Sequence, residues 1–317
     1  MNATNRTTVN YFIIKGITDD PQLQVLIFFV VLLIYLLTLA GNFTIFLLIC
    51  LDRRLHTPMY FFLVNLSVLD MSCSTITMPK ILFIFVSGNG SIYFHSCMAQ
   101  LFFFSSFTSI ELLLLTVMSY DRYVAICSPL YYSRVMNPQI CILLALLCWL
   151  VGFLELIPYM VLLLRISCYT SNIINHFFCD MMPVIKLSCS DTSALELLIF
   201  TEGIFLLSVT PFLLTLVSYA FIITSIMRIR SSSGRIKTFY TCSSHLTVVV
   251  LLYGTLFCQY LRPKSMDTLD SNKIFSLFNT AAVPMLNPVI YSLKNKAVKS
   301  ALKRCLKGCS VKYAELQ

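Results

Sequence analysis

The stretch MSYDRYVAIC, residues 118–127, sets an acid and a base side by side in apolar sequence. From Leu101 to Tyr120 the only charged residue is Glu111; then Asp121 and Arg122 arrive together. The upstream run is long enough to cross a bilayer, which takes about 20 mostly apolar residues for a hydrocarbon core of about 30 Å. Arg122 lies 25 residues after Cys97, or about 37 Å along a helix that rises 1.5 Å per residue. The pair therefore belongs at a membrane mouth, where the Asp neutralises its neighbour. A snorkelling interfacial pair with no further role would leave the same pattern.

The rest of the chain agrees with a membrane reading. Of 317 residues, 58% are hydrophobic and 12% charged, with mean hydropathy +0.82. Soluble domains average about 25% charged residues, so this composition cannot cover a water-facing surface. Phe (25) and Tyr (16) are plentiful and Gly (9) scarce, which favours helices over the alternating strands of a barrel. The opening MNATNRTTVN is polar and lacks an apolar signal region, so the first spanning helix is expected to direct insertion.

Seven apolar spans follow, near 24–51, 58–86, 96–131, 139–162, 195–230, 236–262 and 272–293. The fold class is all-α membrane: a seven-transmembrane helix bundle, with a short amphipathic membrane-surface helix after the seventh span. Residues 1–23 form an N-terminal segment, 24–293 the bundle with a long loop at 163–194, and 294–317 a basic tail. Lys294, Lys296, Lys299, Lys303 and Arg304 alternate there with Ala, Val and Leu, as in a helix lying on a lipid surface.

Lys and Arg set the orientation. With the N-terminus outside, Arg53, Arg54, Arg122, Arg134, Arg228, Arg230, Arg235, Lys237 and the seven of the tail place 15 of 23 on the inner side. The formal charge of +9 is thus membrane-surface charge, facing anionic lipid and a cytoplasmic partner. It is not a nucleic-acid footprint. Glycosylation sequons at Asn2 and Asn5 fall outside in this topology, and that of Asn89 falls in a short outer loop.

Four of the 13 cysteines face outward: Cys97 at the top of the third span, then Cys168, Cys179 and Cys189 in the long loop. An even number in an oxidising compartment predicts two disulfides, with three connectivities open. A tether to Cys97 would turn the loop into a lid. A metal reading of His176 and Cys179 offers only two ligands in local spacing. Cys305 and Cys309 beside the basic helix are palmitoylation candidates.

Glu111 precedes Arg122 by 11 residues, close to three helical turns, and so shares its face near mid-bilayer. Ionisable groups at that depth are expensive and read as functional. Asp70 on the second span lies at similar depth. Two such acids need a cation, a shared proton or water. Sodium is the matching counter-charge, and two protonated carboxyls packed as polar groups are the alternative. Asn42 and Asn287 lie at comparable depth. In PMLNPVIYSLKN (284–295), Pro288 removes a backbone hydrogen bond and kinks the helix, while Tyr291 offers a hydroxyl on the inner half. KTFYTCSSHL (237–246) opens the sixth span, with Lys237 at its base and His245 two turns further in.

Taken together, these segments resemble a rhodopsin-like G-protein-coupled receptor, and within that class an odorant receptor. The resemblance rests on GN (41–42), LHTPMYFFLVNLSVLD (55–70), MSYDRYVAIC (118–127), SY (218–219), KTFYTCSSHL (237–246) and PMLNPVIYSLKN (284–295), in order along the whole chain. Ser119 and Tyr240 depart from the usual Ala and Ser of the family. The lid pattern and short third outer loop resemble the tetrapod-type, class II branch.

The resemblance implies a plasma-membrane receptor with a cytoplasmic C-terminus, no cofactor and no enzymatic activity. It implies disulfides Cys97–Cys179 and Cys168–Cys189. A small volatile odorant would bind in the outer half of the bundle, and the inner end of the sixth helix would swing out. Asp121, Arg122 and Tyr123 would then admit a stimulatory G protein of the olfactory type, which raises cAMP. Tyr219, Lys237, His245, Asn287, Pro288 and Tyr291 would support the change.

Read outward from Glu111, the expected pocket wall is Ser109, Thr108, Ser105 and Phe104 on the third span. Gly203, Ile204 and Leu207 face it from the fifth, Tyr253, Leu256, Phe257 and Tyr260 from the sixth, and Leu277 and Thr280 from the seventh. That wall is apolar with a few hydroxyls and no fixed charge, which suits a neutral, mostly apolar ligand. Glu202 and Lys264 read as rim residues. A transporter would show repeats and paired broken helices, and no HExxH or GxSxG motif marks an enzyme. The nearest rival is a non-olfactory small-molecule or lipid receptor of the same fold.

Overall fold

The computed structural model describes residues 9–18, 20–260, 273, 275–294 and 297–305. Helix α1 (Pro21–Leu51) starts at Asp20, whose carboxylate accepts from the Gln22 amide at 2.9 Å, with Pro at the first helical position. Its outward face, including Val25, Leu26, Phe29, Leu33 and Leu36, is exposed, as a lipid-facing surface must be. Helix α2 (Pro58–Ser87) ends at Gly88, whose φ of +66° is the left-handed cap that glycine adopts without strain.

Helix α3 (Phe94–Cys127) is 34 residues long. It stops four residues short of the expected limit of 131. Ser128 leaves the helical region because Pro129 follows it. A single tight turn, Pro129–Tyr131, and a short helix, Tyr132–Val135, replace the predicted extension.

Proline also shapes the next spans. Helix α4 (Pro138–Leu164) is broken at Glu155. Pro158 has no N–H for the Leu154 carbonyl, so the ladder fails one turn before it. Helix α5 (Ser193–Met227) widens to π geometry over Ile199–Val209, immediately before Pro211. Helix α6 covers Ser232–Tyr260. A second π turn, Phe278–Ala282, leads into helix α7 (Val283–Lys294), which contains Pro284 and Pro288. Both π segments sit just before a proline, where carbonyls lose their usual donor.

Helix α8 runs over 297–305. Val298 and Ala301 are buried in the bundle core, and the Arg304 guanidinium is paired with Asp52 at the end of α1. That contact holds the Asp52 carboxyl below its ordinary range.

Six of these helices are long and apolar enough to cross a membrane, and α7 completes the seven-helix bundle. The structure adds one feature the sequence reading left out. Strands β1 (Tyr11–Ile14), β2 (Ser91–Tyr93) and β3 (Ile173–Ile174) form a small sheet in the order β2-β1-β3. Strand β1 runs antiparallel to β2 and parallel to β3. Alternation buries Phe12 and Ile14 against the outer core while Tyr11 and Ile13 face out.

Candidate functional site

The long loop is fastened at several points. Cys97 at the top of α3 is joined to Cys179, and Cys168 to Cys189. Gln100, one turn below Cys97, donates to the Ile76 carbonyl of α2 at 2.8 Å and accepts from the Cys179 amide at 2.9 Å. Phe178 is fully buried and meets the Phe104 ring edge-on at 4.8 Å. His176 is buried with neither ring nitrogen paired. Burial, and then the positive charge of Lys273, push its pKa down to about 3. Because Cys179 is spent in a disulfide, the His176–Cys179 metal reading has no thiolate ligand. Among the described residues no group of three His, Cys, Asp or Glu could hold a metal ion.

Under this lid lies a cavity of about 150 Å³. Phe104, Ser105, Thr108 and Ser109 line it from α3, Gly203 and Ile204 from the π segment of α5, and Leu256 and Phe257 from α6. Three expected residues lie elsewhere. Tyr253 is buried against Phe212, with ring centroids 4.9 Å apart. Leu277 packs with the Phe177–Phe178 cluster. Thr280 is buried and donates back to the Ser276 carbonyl at 2.8 Å. The side chains of Leu207 and Tyr260 lie outside the described residues, as does Lys264. Glu202 is not part of the described wall.

The expectation of a wall with no acidic or basic side chain to carry a fixed charge is corrected. Glu111, Glu155 and Asp180 all line the cavity. Asp180 caps the short helix Met181–Lys186 by accepting from the Met181 amide at 2.8 Å, and burial lifts its pKa to about 6. Sequence reasoning also missed Tyr159, Met181, Met182, Ser208 and Asn279 on the wall. One signal was present. Glu155 is a lone acid within an apolar span, which marks a functional candidate by default.

Deeper in the bundle, the Asn287 amide donates to both carboxylate oxygens of Asp70, at 3.1 and 3.0 Å. Glu111 Oε1 and Ser74 Oγ are buried there without partners. Asn42 donates to the Thr38 carbonyl at 3.1 Å and to the Pro284 carbonyl at 3.0 Å.

At the opposite end of α3 from the cavity, Arg122 is 3.2 Å from Asp121, which is fully buried and accepts from the Tyr132 hydroxyl at 2.8 Å. Burial, followed by the Asp121 charge, raises the Tyr132 phenol above its ordinary value. Tyr123 stacks obliquely on Phe221 at 5.8 Å. His245 binds two helices at once: Nε2 lies 3.0 Å from the Leu115 carbonyl of α3, and Nδ1 lies 2.8 Å from the Tyr219 hydroxyl of α5. A carbonyl only accepts, so Nε2 carries the proton. Tyr291 is buried nearby with its hydroxyl unpaired. The Lys237 side chain lies outside the described residues. So do the Asn2 and Asn5 sequons, whereas Asn89 is exposed in the α2–β2 turn.

Helix α3 thus carries part of the cavity wall at one end and the Asp121–Arg122 ion pair at the other. The family model described as "Olfactory receptor" matches residues 31–308. The chain belongs to the olfactory receptor family. Its similarity to mouse olfactory receptor 5AR1 is 46% identity over 306 residues, 96% of this chain and 98% of that one. With mouse olfactory receptor 5G9 it is 47% over 313 residues, covering 98% and 99%. With human olfactory receptor 8D1 it is 46% over 308 residues, covering 97% and 100%. The fold is similar to squid rhodopsin, with TM-score 0.73 and 17% identity, covering 92% of this chain and 82% of that one. This olfactory receptor is therefore a multi-pass membrane protein of the rhodopsin-like G-protein-coupled receptor class and not an enzyme.

Proposed function

We propose that this olfactory receptor binds a small, mostly apolar volatile ligand beneath the lid and answers by activating a stimulatory G protein of the olfactory type, which raises cAMP. It would do so in the plasma membrane, with residues 1–23 and the 163–194 loop outside and 294–317 in the cytoplasm. The observation that carries this reading is that one helix, α3, contributes Phe104, Ser105, Thr108 and Ser109 to the cavity and Asp121 and Arg122 to the opposite end of the bundle.

The mechanism is a population shift. A ligand moves the equilibrium only by its preference for the open state, so a 1% basal population needs roughly a 100-fold preference to reach even odds. Opening the inner mouth requires α6 to leave α3, which breaks the His245–Leu115 bond. Arg122 must also exchange Asp121 for the incoming G-protein segment. Tyr291, and Tyr219 once released from His245, would receive the freed guanidinium.

The residues around Asp70 fit a sodium ion: one carboxylate pair with Asn287, and the unpartnered buried oxygens of Glu111 and Ser74. Asp70, Ser74 and Glu111 would hold it. When bound, the ion would supply positive charge that favours the compact, inactive bundle. The direct test is ligand-panel cAMP output in cells at matched surface expression. A panel that evokes no cAMP above mock, with or without added olfactory-type G protein, would overturn the coupling.

A further inference from the structure

We propose that the polar end of the cavity's ligand is a hydrogen-bond donor, an O–H or N–H group, and that Glu155 receives it. This rests on the cavity being the ligand site.

The geometry begins with Pro158. The break it imposes in α4 falls on Glu155, and Glu155 lines the cavity beside Ser109 and Tyr159. Both of its carboxylate oxygens are enclosed and neither has a hydrogen-bond partner. The Ser109 hydroxyl lies beside the carboxyl without completing a bond of ordinary geometry. Native structures rarely leave a buried carboxyl unmet, because it has given up water and gained nothing in return.

Several donors on the same wall are already committed. Tyr159 donates to the Leu198 carbonyl at 3.2 Å and Thr108 donates to the Phe104 carbonyl at 3.0 Å, while the Asn279 side-chain oxygen accepts from the Thr255 hydroxyl. Glu111, Glu155 and Asp180 supply carboxyls, and among the described wall residues there is no Lys or Arg. The cavity is thus rich in acceptors. A donor from the ligand satisfies the ionised Glu155 carboxylate, against which a ketone or ether would set lone pairs against lone pairs.

Size narrows the ligand further. A cavity of about 150 Å³ is of the size that admits benzene in an engineered protein core. That suits a six-carbon or benzylic skeleton with one polar group.

The test uses purified full-length receptor and reads thermal stabilisation, so it is independent of signalling. The probes are hexan-1-ol, hexan-1-amine, benzyl alcohol and benzylamine, against hexan-2-one, pentyl methyl ether and acetophenone. Donor probes should half-saturate at concentrations roughly 10- to 100-fold lower than acceptor-only probes, the range expected for one hydrogen bond to a charged group. Glu155→Val should erase that preference. Glu155→Gln, which keeps an acceptor oxygen but no charge, separates the two sources. If the alcohols keep their advantage and the amines lose theirs, amines bind parent receptor as ammonium ions; if both keep it, the recognised group is neutral.

The proposal is overturned if ketones and ethers bind as well as alcohols and amines, if no donor probe stabilises the receptor, or if Glu155→Val keeps the preference. The parent-receptor comparison decides the matter even if a variant fails to fold. Donor selectivity without cAMP would count against the coupling reading alone, and cAMP without donor selectivity against this inference alone.

Discussion

The Asn42 side-chain amide donates to the Pro284 carbonyl, 3.0 Å away across α1 and α7. Pro288 lacks the N–H that would otherwise cap that carbonyl four residues earlier, so α1 supplies the missing donor. Gly41 lets the two helices approach, since a Cβ there would come within 2.9 Å of Pro288 Cγ. Asn42→Ala should cost about 1–3 kcal/mol by leaving a buried carbonyl unpaired, read as a lowered melting temperature of purified receptor. Gly41→Val should destabilise as well, through the clash. An unchanged melting temperature in both variants would show that water or α7 itself caps Pro284.

Asp121 holds Arg122 from one side and Tyr132 from the other. A charge-assisted hydrogen bond contributes about 1.5–3 kcal/mol, so its loss should change coupling by roughly 10- to 150-fold. Arg122→Ala is expected to remove ligand-evoked cAMP while leaving thermal stabilisation by ligand in place. Asp121→Asn and, more weakly, Tyr132→Phe should raise basal cAMP. Arg122→Lys should rescue poorly, because an ammonium lacks the planar fork. If Arg122→Ala signals like the parent at equal surface level, the pair only snorkels.

For the Asp70–Glu111 cluster the readout is basal cAMP against external sodium. Sodium should lower it in the parent. The double variant Asp70→Asn with Glu111→Gln should be insensitive while still reaching the surface. Sodium sensitivity that survives in the double variant would favour two protonated carboxyls.

Lid stability should depend on pH through two buried groups of opposite sign. His176 is held neutral, with its pKa near 3 against an ordinary 6.5. The unfolded lid gains a proton first, so this contribution is complete above pH 6.5 and is lost as pH falls, by roughly 1 kcal/mol per unit. Asp180, near 6 against an ordinary 3.8, acts the other way: its contribution is complete below 3.8 and is lost as pH rises through 6. Melting curves between pH 7.5 and 5 should flatten in His176→Gln and steepen in Asp180→Asn. Identical slopes in parent and both variants would place these side chains in water.

The helices were readable because a bilayer admits no unpaired backbone, so each span must announce itself as a long apolar run. The inner motif was readable for a related reason: Asp121 and Arg122 break an apolar run at a depth that residue counting fixes. Four outward cysteines left three pairings open, and only the family resemblance chose among them before the geometry of Cys97 and Cys179 was known. The N-terminal strand was not legible. Four residues alternating Tyr, Phe, Ile, Ile carry too weak a signal until β2 and β3 supply the partners that bury Phe12 and Ile14.

Sequence alone determined class, span number, the charge asymmetry and the family, because each depends on composition or local order. Tertiary structure decided the cavity wall. Whether a helical residue meets the cavity depends on the rotation and kinks of its helix, and those are set by contacts far away in sequence. Tyr253 and Thr280 turned into packing, whereas Glu155 turned inward at a break made by Pro158. Asp180 reached the same cavity only because Cys179 is pinned to α3.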